Sequence, residues 1–435
     1  MKTPTTLRVV TALSLAAAVT GMGGMFLGPA SAGGRATVVS HRVVDVAGVA
    51  SDQSPTGGIQ EAIDSRPPGG GLVAVPPGEF RLRQSVHVPS HVTLRGAGGS
   101  TVLRRAKHAE CPLSAPTKPG DTSVRVADAG PVREGDEVGI LDRESFGWNM
   151  ARAIVSEVRG EELVLDRRIM RAFDPAKGGI VLTCFPAITA NEVSRIVVEG
   201  LAIDGRPTGT TKAMPEAEPG FTFAAIHLVG ATESRVESCW VTAWPSDGIS
   251  LQRGGGNSVR DCRVQDCRGN GLHPGGGLRD STFAGNIVRG NGGEGMFFCA
   301  GVRHVVASQN IFSRNKGNGI GGLGDNGDKY NVVSANVCES NGGSGIWLFD
   351  GDSNTVCNNI CVNNAGCGIL LNRTADTIVQ GNRCLDDRRM KTQKHGVFEF
   401  GSCRSNLFAN NLCRGNAQAG LVLEGEGSHS SGNVD

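Results

Sequence analysis

Four titratable side chains in the second half of the chain have types suited to proton-transfer chemistry: His227, Asp247, His273 and Glu294. A histidine flanked by carboxylates suits abstraction of a proton beside a uronate carboxyl group, the step a lyase or an epimerase requires. Two carboxylates with a gap between them suit glycoside hydrolysis instead. Cationic and aromatic residues follow in the same region. Arg253, Arg279 and Lys329 could meet carboxylates of an acidic polymer. Phe297 and Trp347 could stack on sugar rings. Tyr330, the single tyrosine, could reach such a site as acid or base, or pack over its neighbours. Each assignment has a plainer counterpart: a surface histidine, and carboxylates that cap turns.

Whether these residues meet depends on a repeat. An x-Gly-apolar motif recurs as Asp247-Gly248-Ile249, Asn270-Gly271-Leu272, Glu294-Gly295-Met296, Asn318-Gly319-Ile320, Ser344-Gly345-Ile346, Cys367-Gly368-Ile369, His395-Gly396-Val397 and Ala419-Gly420-Leu421. Consecutive glycines are 23, 24, 24, 26, 23, 28 and 24 residues apart. Asn286, Asn310, Asn336, Asn359, Asn382 and Asn411 run in phase, as do Asn291, Asn315, Asn341, Asn364 and Asn416. This period is of solenoid size, and the leucine comb of a leucine-rich repeat is missing. The apolar runs are short, β-branched and separated by Gly and Asn, which predicts coils of about three strands and three turns. Stacked Asn side chains would hydrogen-bond from coil to coil. Alternation then puts His227, Ser250, His273, Phe297, Gly321, Trp347, Leu370, Phe398 and Val422 in one outward column beside a buried one. With coils about 4.8 Å apart, Asp247 and Glu294 would stand roughly 9–10 Å from each other, with His273 between. That separation is near the upper end for an inverting glycosidase.

Upstream, residues 56–65 predict a short helix with Ile59 and Ile63 on one face. Gly69-Gly70-Gly71-Leu72-Val73-Ala74-Val75-Pro76-Pro77-Gly78, Val86-His87-Val88 and Val92-Thr93-Leu94-Arg95-Gly96-Ala97-Gly98 follow. This order resembles the amino-terminal cap of the pectate-lyase-like superfamily of exported and tailspike β-helix proteins. The resemblance implies an all-β, right-handed parallel β-helix solenoid whose short N-terminal helix plugs the open end and protects the first edge strand. Members include lyases, hydrolases, epimerases and non-catalytic adhesins, so the resemblance speaks to fold more than to activity. Alginate-type epimerases and several β-helix lyases are similar in combining His, Asp, Tyr and Arg on this kind of face. Their motifs do not match residue for residue, and the Gly-His-Gly and paired Asp-Asp motifs of pectin hydrolases are absent.

Residues 108–186 break the period. Val124-Arg125-Val126, Asp136-Glu137-Val138-Gly139-Ile140 and Glu162-Leu163-Val164-Leu165-Asp166 read as strands of a small inserted β-subdomain. It is either the wall of a cleft, through Arg143, Trp148 and Arg152, or a decoration. Residues 205–222 form a long polar loop, and loops of that length on a rigid solenoid often carry binding. The expected domains are thus 1–32, 33–107, 108–186 and 187–435. Cys338, Cys361, Cys384 and Cys413 each follow an Asn by two residues, so they should stack as small buried fillers of the bore. Cys111 and Cys184 bracket the insert and are candidates for a disulfide at its base.

Lys2 and Arg8, the apolar stretch Val9–Leu27 and Ala30-Ser31-Ala32 read as a signal peptide over residues 1–32, so a secreted or periplasmic location is expected. No later run is long and apolar enough for a membrane span. The net charge of +1, without a basic block, argues against nucleic acid as a partner. A polysaccharide is the expected partner, and a homo-oligomer is open. No cofactor is expected and no metal site is assigned: Cys262 and Cys267 lack a matching His pair. Asp325 and Asp328 could hold calcium, although no full loop pattern supports it. The leading expectation is an exported carbohydrate-active enzyme acting on an extended, acidic polysaccharide, with lyase or epimerase ahead of glycoside hydrolase. The alternative is a non-catalytic surface, adhesion or glycan-binding β-helix.

Overall fold

A computed structural model describes residues 43–45, 54–66, 68–145, 147, 149–207, 220–324 and 327–435, all within one compact unit, His41–Asp435. The proposed signal peptide lies outside the described residues. The chain winds as a right-handed parallel β-helix. One coil shows the rule: strands Ile249–Gln252, Ser258–Arg260 and Arg263–Gln265 each pair in parallel with the strand one repeat later. The first strand of every coil joins an eleven-stranded sheet, the first face. Ile226, Ile249, Leu272, Met296, Ile320, Ile346, Ile369 and Val397 lie in register along it and are fully buried, the column the repeat predicts. Each such side chain contributes roughly 1.5–3 kcal/mol by leaving water.

The corner between the second and third strands is a single left-handed residue: Asp261, Gln309, Ala335, Asn358 and Asn410 have φ of 53–58°. That conformation is costly for residues other than glycine, at about 1–2 kcal/mol each. The next residue offsets it. Asn310 donates its side-chain amide to the Asn336 carbonyl oxygen at 3.0 Å, Asn336 to Asn359 at 3.0 Å, Asn359 to Asn382 at 3.0 Å and Asn382 to Asn411 at 3.0 Å. The same oxygens accept backbone N–H groups, so the buried corners are satisfied. Cys338, Cys361, Cys384 and Cys413 pair in register and are buried, filling the bore as expected.

The helix Ile59–Asp64 buries Ile59, Ala62 and Ile63 in the same core as the coils. Between Glu110 and Thr183 six antiparallel strands form a sheet around their own core, which includes Val126, Ile140, Val155 and Phe173. The disulfide expected at its base is corrected: Cys111 and Cys184 are both free and buried. The register explains this. Cys111 lies opposite Val181, which places Cys184 three residues further along the partner strand, about 10 Å away.

Candidate functional site

The outward column on the first face is continuous in register. Thr189, His227, Ser250 and His273 stand side by side on successive coils, followed by Phe297, Gly321, Trp347, Leu370, Phe398 and Val422. The first part of the column is roofed. Beyond the long loop, the turn Phe221–Phe223 folds across the histidines, with the Phe221 ring 5.2 Å from the His273 ring and 6.3 Å from that of His227. Trp244 holds this turn by donating its indole N–H to the Phe223 carbonyl at 2.7 Å, and Ser246 donates its hydroxyl to that of Gly220 at 2.9 Å. The insert contributes Arg152, which donates to the Thr222 carbonyl at 3.3 Å and to the Glu137 carboxylate at 2.9 Å.

Asp247 and His273 form the tightest pair. Asp247 Oδ2 lies 2.6 Å from His273 Nδ1, and Oδ1 accepts the Asn270 backbone N–H at 2.6 Å. Burial alone would lower the His273 pKa. The hydrogen bond to Asp247 and the charge of Asp247, with a contribution from nearby Cys299, overcome it and hold the imidazole at about 9. His227 is the opposite case. Burial, the nearby Arg152 charge and His273 push it down to about 3, and its Nδ1 has no hydrogen-bond partner. His227 also lines a cavity of about 340 Å³ between the insert and the first face, together with Arg152, Arg167, Glu137 and Thr189.

Not every residue singled out in the sequence reaches this place. His273 faces outward as the alternation requires. It is not the surface histidine of the plainer reading, since it is only 4% exposed beneath Phe221 and beside Phe297. Glu294 stands two coils from Asp247, and its carboxylate accepts both the backbone N–H and the side-chain amide of Asn318. Burial raises its pKa. A Cβ at Gly321 would come within 2.9 Å of that carboxyl group, so Gly321 leaves the space into which Glu294 leans. Arg253 is instead paired with Glu192 at 2.9 Å on an exposed strand end. Lys329 and Arg279 lie on the turn after the first face, where Lys329 pairs with Asp352 at 3.3 Å. Tyr330, 54% exposed, stacks on His304 on that same turn, with ring centroids 5.7 Å apart. Among the described residues, none of these four contacts His227, Asp247 or His273. Phe297 packs edge-on to His273 at 5.3 Å, and Trp347 lies 5.2 Å from Phe349 further down the face. Trp148 and Asp325 lie outside the described residues. The Asp328 carboxylate accepts the Val302 and Gly324 N–H groups. Phe221, Arg167, Gln252 and Cys299 escaped sequence reading. Only Cys299 carried a signal, sitting two residues beyond Phe297 and so on the same side of the strand.

Residues 205–389 and 322–433 match the family described as periplasmic copper-binding protein (NosD), together more than half of the 435 residues. The chain belongs to this family. No curated protein matches this NosD-family chain in sequence. Its fold is shared with solved structures. The mannuronan C-5 epimerase AlgE6 A-module of Azotobacter vinelandii aligns with a TM-score of 0.53 at 16% identity, over 87% of this chain and 94% of that one. The polygalacturonase of Erwinia carotovora ssp. carotovora aligns at 0.56 and 12%, over 86% and 94%. The Dettilon tailspike protein gp208 aligns at 0.56 and 13%, over 87% and 63%. At these identities the likeness concerns the fold. The copper in the family description finds no matching donor set: no three His, Cys, Asp or Glu side chains converge among the described residues. The stacked cysteines are poor ligands, since neighbouring thiols and burial raise Cys361 and Cys384 well above the ordinary thiol range. No helix among the described residues is long and apolar enough to cross a membrane.

Proposed function

We propose that this NosD-family chain is an exported carbohydrate-active enzyme that removes a proton beside a uronate carboxyl group, as a lyase or epimerase of an acidic polysaccharide. One arrangement carries the reading: two imidazoles on one face, His227 with an unpartnered Nδ1 and His273 bonded to Asp247, in surroundings that push His227 down to about 3 and His273 up to about 9. Such divergence separates a base from an acid. His227 is neutral and has a free nitrogen, as a base requires. His273 is protonated and held by Asp247, as an acid requires. Arg152 and Arg167 line the same cavity as His227 and can receive the substrate carboxylate, which lowers the cost of the carbanion formed beside it. Substrate charge in that cavity would also raise His227 toward a useful basicity. The inverting-hydrolase alternative has less support, because Asp247 and Glu294 are both engaged with backbone N–H groups of the next coil.

The solved neighbours include proteins named for mannuronan and polygalacturonate chemistry, which agrees with an extended acidic glycan as substrate. The half-buried Phe297, Trp347, Phe349, Phe398 and Phe400 extend the face and supply stacking surfaces for further sugar rings. The same stripe favours the second reading, a glycan-binding protein without turnover. A panel of polyuronates separates these cases. Ultraviolet absorbance from an unsaturated product indicates a lyase, and a changed epimer ratio at constant chain length an epimerase. Reducing ends without absorbance would contradict the reading, and retention without any product would establish the binding alternative.

A further inference from the structure

Two cavities that share no lining residue adjoin the insert. One is the histidine cavity on the first face. The other, of about 490 Å³, lies against the strand Gly78–Leu82, which belongs to the other long sheet. Adjacent residues divide between them, Asp136 lining this cavity and Glu137 that of the histidines. The alternation of Gly78–Leu82 buries Phe80 and Leu82 and leaves Glu79 and Arg81 outside, on the cavity wall. Lys107 and His108 stand where the chain leaves the coil for the insert, and Arg133 sits on a turn closed by its N–H to the Asp136 carboxylate at 2.9 Å. Arg81, Arg83, Lys107 and Arg133 thus face only two carboxylates. Both are already taken: Glu79 pairs with Arg104 at 2.8 Å and Asp136 with Arg83 at 3.4 Å. Among the described residues, the exposed Arg81, Lys107 and Arg133 have no ion-pair partner. His108 bonds Glu110 through Nε2 at 2.8 Å, and its Nδ1 is left without a partner. Burial and the charge of Arg105, with that of Lys107, lower the His108 pKa in spite of Glu110. Positive charge is therefore in excess at this wall, in a chain whose net charge is only +1.

We infer that this cavity is a second binding site, which holds an acidic sugar by its oxyanion through Arg81, Lys107 and Arg133. The oxyanion is a carboxylate, a phosphate ester or a sulfate ester, groups that share one recognition chemistry. Planar guanidinium groups meet such oxygens with two parallel hydrogen bonds, and the Lys107 ammonium adds a point charge. The three come from a solenoid strand, the exit to the insert and the insert itself, so they surround a ligand instead of lining one edge. The volume falls within the range of small-molecule sites and exceeds the need of a bare ion. Apolar lining is confined to Ala106, Ala109, Pro131 and Phe185. The rest of the wall is polar, including the Ser54 and Thr183 side chains, which suits a hydroxylated ligand and not a fatty acid. A neutral sugar would take water from three cations without returning a charge. The site shares no residue with the acid–base machinery proposed above and does not depend on it.

The test uses the full chain. Glucuronate, a glucose phosphate and a glucose sulfate are titrated separately in a calorimeter, with glucose as the neutral control, and the His108 ring signals are followed by NMR. At least one of the acids should saturate the protein and move the His108 signals, glucose should do neither, and the acid bound most tightly identifies the oxyanion. Arg81→Gln and Arg133→Gln remove exposed side chains that belong to no ion pair, so both variants should fold, as thermal melts check. Each should weaken binding of that acid about tenfold or more, the loss expected for one charge-assisted hydrogen bond. His227→Gln should leave this binding unchanged. Glucose binding as tight as that of the acids, no saturation by any acid, or full affinity in the doubly substituted chain overturns the proposal. Loss of binding in His227→Gln also overturns it, by placing the ligand on the first face. No readout involves turnover, so this proposal and the proton-abstraction reading fail separately.

Discussion

Replacing Asp247 by Asn tests the electrostatics of the site with little disturbance of the fold. The Asn carbonyl oxygen can still accept the Asn270 N–H that Asp247 Oδ1 accepts at 2.6 Å, so the coil-to-coil cap survives. The new amide presents a donor to His273 Nδ1, which fits a neutral imidazole and opposes a protonated one. His273 is held at about 9 chiefly against its own burial, by Asp247 and by Cys299. Without the carboxylate, burial should take it to 6.5 or below. The drop is at least about 2.5 units, or about 3 kcal/mol of preference for the imidazolium at 1.36 kcal/mol per unit. The sign of the stability effect follows. In the native chain His273 binds its proton more tightly than an unfolded histidine does, so its stabilisation is complete below about pH 6.5 and is lost as pH rises through about 9. In the variant that decline should vanish. Titration of the His273 ring proton by NMR, alongside thermal melts between pH 6 and 10, measures both. An unchanged His273 pKa in Asp247→Asn would show that the carboxylate does not hold the proton, and the assignment of His273 as the acid would fall.

His227 should impose the opposite slope. Lowered to about 3, it stays neutral in the fold while an unfolded histidine protonates, so stability should fall as pH drops from about 6.5 toward 3. His227→Gln should flatten that slope in thermal melts, and an unaltered slope would assign the acid sensitivity elsewhere. Asn336→Ala should cost about 3–5 kcal/mol in denaturant midpoint, because Asn310 loses the acceptor of two N–H donors and the Ala307 and Asn359 oxygens lose a donor; a cost below 1 kcal/mol would mean that the ladder does not bear the corner strain. Trp347→Ala should weaken polyuronate retention several-fold in affinity electrophoresis while the melting temperature moves little, and unchanged retention would remove the aromatic stripe from the binding surface.

The solenoid was legible because its determinants are local and repeated. The x-Gly-apolar step, the Asn columns and the bore cysteines recur once per coil, so period alone puts Ile249 over Leu272 and Cys338 over Cys361. The outward column followed from the alternation of strands. Contacts made outside the period were not legible. Phe221 meets His273 across 52 residues and Arg152 meets Glu137 within the insert, and no spacing rule encodes either. Arg253, Lys329 and Tyr330 share the stretch of sequence with the histidines but sit on strand ends and turns, where their side chains find neighbours of their own. Burial of His273 was missed for the same reason: the roof comes from a loop and an insert, not from the repeat. The Cys111–Cys184 disulfide failed because bracketing a segment in sequence does not set strand register.

The proton beside the substrate carboxyl group is the most direct witness to the proposed chemistry. Polyuronates incubated with the full chain in deuterium oxide and followed by NMR should lose that proton signal. It should vanish either through deuterium incorporation with inverted configuration or through formation of an unsaturated residue. The loss should be abolished in His227→Gln and reduced in Asp247→Asn. Cleavage to saturated products with the carbon-bound proton retained, or full exchange in His227→Gln, would contradict the account.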